Sequence, residues 1–84
     1  MNVSKPESLA KLVERIAKFL VDDPNGVTVS EKIGEQTTVI ELTVSKQDIG
    51  KIIGKQGRTA QSIRTLLNCA STKLNRKTVL EIVE

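Results

Sequence analysis

Between Ile49 and Arg58 the chain reads Ile-Gly-Lys-Ile-Ile-Gly-Lys-Gln-Gly-Arg, a stretch that combines backbone freedom, positive charge and an apolar wall. Gly54 and Gly57 bracket Lys55 and Gln56, so the backbone can turn sharply and approach a ligand where a side chain at either end would obstruct it. Lys55 and Arg58 bring two positive charges to the turn. From about Arg58 onward the pattern is helical, so unpaired N–H groups and the positive end of a helix dipole point back at the loop. An anion belongs there. The plainer alternative is that Gly54 or Gly57 only ends one helix before the next begins, since glycine is the usual stop signal after a helix. A nucleotide P-loop is excluded. Gly50 to Gly54 leaves three intervening residues where four are required, and Gln56 stands where a Ser or Thr should bind magnesium. Nor is there a G-x-G for a dinucleotide fold.

Composition narrows the classes of function further. The chain has no His, Tyr or Trp, and Phe19 is its one aromatic, so catalysis is poorly provisioned and the chain is not read as an enzyme. Asp22 and Asp23, the one adjacent carboxylate pair, precede Pro24-Asn25-Gly26 in what reads as a helix end and turn, where a solvated role outweighs acid–base work. No cofactor, metal or small-molecule substrate is indicated. Cys69 stands alone, which excludes a disulfide framework or a cysteine metal cluster, and its place on a helix predicts a small buried hydrophobe. No apolar run is long enough for a membrane span, and Lys5, Glu7 and Lys11 interrupt the N-terminal apolar positions as they would not in a signal peptide. A cytoplasmic chain without a membrane partner is expected.

The 84 residues make one domain, 1–84, able to bury roughly 60–65 % of its unfolded surface. Charge is unevenly spread. Residues 46–77 hold eight basic residues against Asp48 alone, a balance of +7, whereas the rest of the chain comes to −4. A basic half carrying the glycine loop beside an acidic half predicts an oriented surface for a polyanion.

The elements that must hold this loop follow from periodicity. Ser4 with Glu7 forms a capping box, and Leu9, Leu12, Val13, Ile16, Phe19 and Leu20 recur at helical spacing, predicting a helix over 5–21 that buries that stripe. Asp22–Gly26 is a dense turn signal. Val27, Val29 and Ile33, then Ile40, Leu42 and Val44, alternate with polar residues on either side of Gly34-Glu35, predicting a hairpin. Ser45 can cap a short helix from Lys46 to Ile53, whose apolar face is Ile49, Ile52 and Ile53. After the glycine loop, Ala60, Ile63, Leu67, Ala70 and Leu74 mark a longer helix, and Thr78–Val83 reads as a strand. The order is α-β-β-α-α-β. A right-handed crossover makes the second and third strands parallel, with the hairpin partner antiparallel on the other side, giving an α+β fold with a three-stranded mixed sheet and three helices on one face. Val39, Val79 and Val83 then fall on the opposite face, either as scattered surface valines or as a small apolar patch for self-association.

A short helix, G-x-x-G and a longer helix between two strands resemble the core of the KH domain, and Ile52-Ile53-Gly54-Lys55-Gln56-Gly57-Arg58 is similar to its signature. The N-terminal helix and hairpin resemble the type II arrangement, and nearly the whole chain resembles the small bacterial single-KH RNA-binding proteins of the KhpA (YlqC-like) type. Ala60 departs from the general pattern, where a large aliphatic is common. The resemblance implies single-stranded RNA binding with about four nucleotides clamped by the loop, as an RNA chaperone or post-transcriptional regulator. Composition agrees with this choice among RNA modules, since those that hold bases by aromatic stacking need more than one aromatic. On the family's pattern, Ile49, Ile52, Ile53 and Ile63 supply apolar contacts or their support. Gly54, Lys55, Gln56, Gly57 and Arg58 grip phosphate, Lys51 and Arg64 add basic contacts, and the strand Thr38–Val44, with Thr38, Ile40 and Leu42, forms the opposite wall. It further implies a homodimer, or a heterodimer with a second KH-containing protein of the Jag type. A protein-binding adaptor on the same fold is the alternative, because four nucleotides give little affinity by themselves.

Overall fold

The computed structural model describes residues 9–73 and 75–84. The capping box at Ser4 and Glu7, the first residues expected of the N-terminal helix, and Leu74 lie outside the described residues. The chain runs α1 (Leu9–Leu20), β1 (Thr28–Ile33), β2 (Thr37–Thr43), α2 (Ile49–Ile53), α3 (Arg58–Lys73) and β3 (Lys77–Val83), with 3-10 turns at Pro24–Gly26, Lys46–Asp48 and Lys55–Gly57. The sheet order is β1-β2-β3; β1 is antiparallel to β2, and β3 is parallel to it. This is the α+β arrangement and strand pairing that the pattern predicts.

One apolar layer joins the sheet to the helices. Val13 and Ala17 of α1, Ile52 of α2 and Ile63 and Leu67 of α3 are buried together with Ile40, Leu42 and Leu80 of the sheet. The strand alternation explains the choice, since every second residue of β2 and β3 faces the helices and the residues between them face away. Val39, Val79 and Val83 lie on the outward face, Val39 and Val79 half-buried and Val83 exposed. Beside them Glu41 accepts from the Ser30 hydroxyl at 3.1 Å and pairs with Lys32 at 3.6 Å.

Three expectations need correction. Phe19 does not belong to the core; it is 90 % exposed, and Leu12 and Leu20 are also exposed. The α1 stripe is wider than the surface it covers, so Val13 and Ala17 take the centre and Phe19, about 200° round the helix from Ala17, falls outside. Cys69 is exposed as well. The buried face of α3 is Ala60, Ile63, Leu67 and Ser71, and Cys69 lies nearly opposite Leu67. Ser71 enters the core because its hydroxyl donates to Leu67 O at 2.7 Å and shares a hydrogen bond with Thr78, which satisfies both polar groups away from water. The third correction concerns the segment Lys46 to Ile53. It is a 3-10 turn followed by five helical residues, and Ser45 does not cap it, because its hydroxyl donates to Asp23 Oδ2 at 2.8 Å.

These placements separate two substitutions of apolar residues in neighbouring helices. Ile52→Ala empties a fully buried site and is expected to cost about 2–5 kcal/mol, a large share of the ~5–15 kcal/mol of an ordinary domain. Phe19→Ser, at the surface, should change stability by no more than about 0.5 kcal/mol. Urea unfolding of the two variants measures the contrast.

Candidate nucleic-acid interface

Gly54 ends α2 at φ 77° and ψ 173°, a backbone conformation that is almost confined to glycine. Its N–H donates to Gly50 O at 2.8 Å, and its own carbonyl accepts from Gly57 N–H at 3.1 Å. A side chain here would also lack space, since a Cβ would lie 2.9 Å from the Thr59 backbone nitrogen and closer still to the Thr59 side chain. Gln56 is left-handed at φ 56° and ψ 27°, and Gly57 follows at φ 76°. The chain therefore reverses within four residues, and α3 starts at once at Arg58. The first amides of a 16-residue helix and the positive end of its dipole open on the loop. Lys55, Gln56 and Arg58 are exposed around it.

The other expected site residues divide by burial. Ile52 and Ile63 are core, as are Ile40 and Leu42, so these four support the surface from beneath. Ile49 and Ile53 are half-buried and form the apolar margin of α2. Lys51 is turned to the other side of the short helix, where its ammonium lies 3.1 Å from Asp22 Oδ2 and 3.8 Å from Asp48 Oδ1. The Asp22 hydrogen bond and charge, with Asp48 behind it, hold Lys51 above its ordinary pKa against a smaller opposing effect of burial. Asp48 is fully buried, and its two oxygens accept the Asp22 and Asp23 backbone N–H groups at 3.2 and 3.1 Å.

The strand expected to face the loop is not open. β2 is the central strand, paired on both edges, and Thr38, Ile40 and Leu42 are buried on its inner face. The open edge next to α3 belongs to β3. Lys77 N–H donates inward to Gln36 O at 2.9 Å, so strand alternation sends the main-chain groups of Thr78, Leu80 and Ile82 outward. In agreement with this, Arg64 of α3 reaches Leu80 O with Nη2 at 3.4 Å. Because Ser71 meets Thr78 and Arg64 meets Leu80, the first turn of α3 and the glycine loop lie toward the Ile82 end of β3. The strand order read from the sequence already implies that β2 has no spare edge, and this was the signal for β3. Arg76, another cation of the basic half, is engaged at the hairpin turn, where Nη2 donates to Gly34 O at 2.9 Å and to Thr38 Oγ1 at 3.1 Å.

The two loop glycines should respond differently to alanine. Gly57→Ala meets nothing within 4 Å and bears only the left-handed backbone cost, about 1–2 kcal/mol. Gly54→Ala combines a comparable or larger cost, ~1–3 kcal/mol, with overlap on Thr59, and its melting temperature should fall further. Equal melting temperatures would mean that the Gly54 and Thr59 backbones separate easily.

Comparison with known proteins gives the same picture. A KhpA/KhpB KH-domain model matches residues 10–82. The RNA-binding protein KhpA of Clostridium perfringens is 52% identical over 75 residues, covering 89% of this chain and 100% of that protein. The RNA-binding protein KhpA of Aquifex aeolicus is 48% identical over 77 residues, covering 92% and 98%. Among solved structures, Aquifex aeolicus Era bound to GDP.AlF4- matches with a TM-score of 0.56 at 26% identity, over 88% of this chain and 29% of Era. Era in complex with MgGDPNP and nucleotides 1506-1542 of 16S ribosomal RNA matches with a TM-score of 0.51 at 26% identity, over 88% of this chain and 28% of that one. The chain thus spans less than a third of the Era chains. With a helix pair closed on a Gly54–Gly57 turn, a β1-β2-β3 mixed sheet and a family match over most of its length, the chain belongs to the KhpA/KhpB KH-domain family.

Proposed function

We propose that the chain binds single-stranded RNA, clamping about four nucleotides between the Gly54–Gly57 turn and the free edge of β3, and that it acts as an RNA chaperone or post-transcriptional regulator. The observation that carries this reading is the loop itself. Its left-handed backbone brings a phosphate within reach of the α3 amides, and exposed Lys55 and Arg58 add charge without blocking the approach. Ile49 and Ile53 provide an apolar strip on which a base can lie, and the outward main-chain groups of Leu80 and Ile82 offer donors and acceptors to base edges. Era, seen in complex with 16S ribosomal RNA nucleotides, and the relatives named as RNA-binding proteins support the same use of the fold. Stacking on an aromatic sheet surface is a poor alternative, since Phe19 lies on α1 and not on the sheet. No described helix is long and apolar enough to cross a membrane.

One clamp of this size favours a second binding unit close by. A second copy, or a Jag-type KH partner, is expected to use the outward sheet face at Val39, Val79 and Val83. Sedimentation of the wild type at micromolar concentration should show self-association that Val79→Lys weakens. A strict monomer unchanged by the substitution removes self-association and leaves the partner protein to be tested by itself.

Two measurements test RNA binding. With two or three phosphates held, log K against log salt should have a slope of about −1.5 to −2, at ~0.7 per phosphate for a single strand. Replacing Lys55 and Gln56 together by Asp should leave the fold intact, because carboxylates just before a helix N-terminus are favoured by ~0.3–1 kcal/mol each. The same change sets negative charge against phosphate at a cost of several kcal/mol, and a loss of ~3 kcal/mol already weakens binding more than a hundredfold. Retained affinity with an unchanged melting temperature would reduce Gly54–Gly57 to a connection between helices and favour the protein-binding adaptor, which the outward sheet valines would serve.

A further inference from the structure

We infer that Asp48 is a positioning residue for the glycine loop, fixing the direction of α2 by tying its first turn to the segment that follows α1. The inference rests on the RNA-binding reading for its consequence, but its geometry stands alone. α2 has five residues, too few to be held by its own hydrogen bonds, and Ile52 is the one residue of the five that is fully buried. Its apolar contacts with the core, Ile52 and the half-buried Ile49 three residues before it, lie on one face of the helix and leave it able to roll about that line. Asp48 removes that freedom. Its buried carboxylate accepts from two successive amides, Asp22 and Asp23, which belong to a different element from the loop, and Lys51, one turn along α2, stands over both Asp48 and Asp22. A carboxylate in this position is costly unless hydrogen-bonded, so the arrangement has one satisfied geometry. Gly54 lies six residues on, at the far end of the same short helix, and any roll of α2 moves the loop amides relative to β3.

The test compares two variants of the full chain. Asp48→Asn turns one accepting oxygen into an NH2 that meets an amide donor, and Val13→Ala removes core contacts from α1, which carries no loop residue. Both are studied at temperatures where each is folded. The readouts are the amide resonances of Gly54–Arg58 and the affinity for a short mixed-sequence single-stranded RNA. Asp48→Asn should shift the loop resonances and weaken RNA binding about tenfold with the salt slope unchanged, whereas Val13→Ala should change neither. Unmoved loop resonances in Asp48→Asn overturn the inference, as does an equal loss in Val13→Ala, which would mean that affinity follows stability alone. If the wild type does not bind RNA, the proposed function fails while the loop resonances still decide the role of Asp48. If Asp48→Asn does not fold, amide exchange in the wild type decides it: the Asp22 and Asp23 amides should exchange as slowly as that of Gly54, and exchange at the rate of an open turn overturns the tether.

Discussion

The backbone at Gly54 passes so close to Thr59 that no side chain fits between them, and the site is built outward from that contact. It lets α2 and α3 meet across four residues, with the first α3 amides opening on the turn and Lys55 and Gln56 at its tip. Positive φ at Gly54 and Gly57 and at Gln56 between them makes the reversal tight enough for an anion to touch main chain instead of side chains. Gln56 has a Cβ in the left-handed region, a strained conformation of the kind that gathers at binding sites.

The electrostatic asymmetry of the sequence is sharpened by the fold. Lys51 is held by Asp22 and Asp48, Arg76 by the hairpin turn, and Arg64 leans on the β3 main chain. These cations organise structure. Lys55 and Arg58 remain exposed at the turn, where the helix dipole adds to their charge, while Lys46, Lys73 and Lys77 are exposed away from it. Charge counted along the chain marks residues 46–77 as basic, and contacts decide which of those cations face outward.

The fold was legible because each element repeats its apolar residues at its own period: Ala60, Ile63 and Leu67 along a helix, Ile40 and Leu42 along a strand. The parallel β2–β3 pair followed from the crossover rule, and the loop from two glycines around a basic residue. Burial was less legible. Phe19 matched the α1 stripe in spacing, but the sheet is too narrow to cover it, and a one-dimensional pattern carries no width. Ser71 is polar and stands outside the apolar stripe; Leu67 O lies one turn back in the same helix, but Thr78 meets it only after the chain has turned into β3. The burial of Asp48 has no signal along the chain, since the amides it binds lie 25 and 26 residues away. The wall expected on β2 is buried, with Thr38, Ile40 and Leu42 facing the helices, and the strand order already leaves β3 at the edge.

The β2–β3 pairing that frames the loop also joins distant parts of the chain. Thr37 pairs with Lys77 and Thr43 with Val83, so every contact of this ladder closes a span of forty residues, at an entropic cost of about 3 kcal/mol beyond a constant. The hairpin joining β1 to β2 turns back within a few residues. That pairing closes a much shorter loop and carries the smaller entropic cost. β3 is an edge strand with one neighbour in the sheet, as β1 is, and Thr78 and Leu80 also bury it against the helices. A ligand lying across α2, the loop and the outer edge of β3 would bridge elements that are far apart in the chain and so favour the folded state. Occupancy of this site and resistance to global opening therefore rise together.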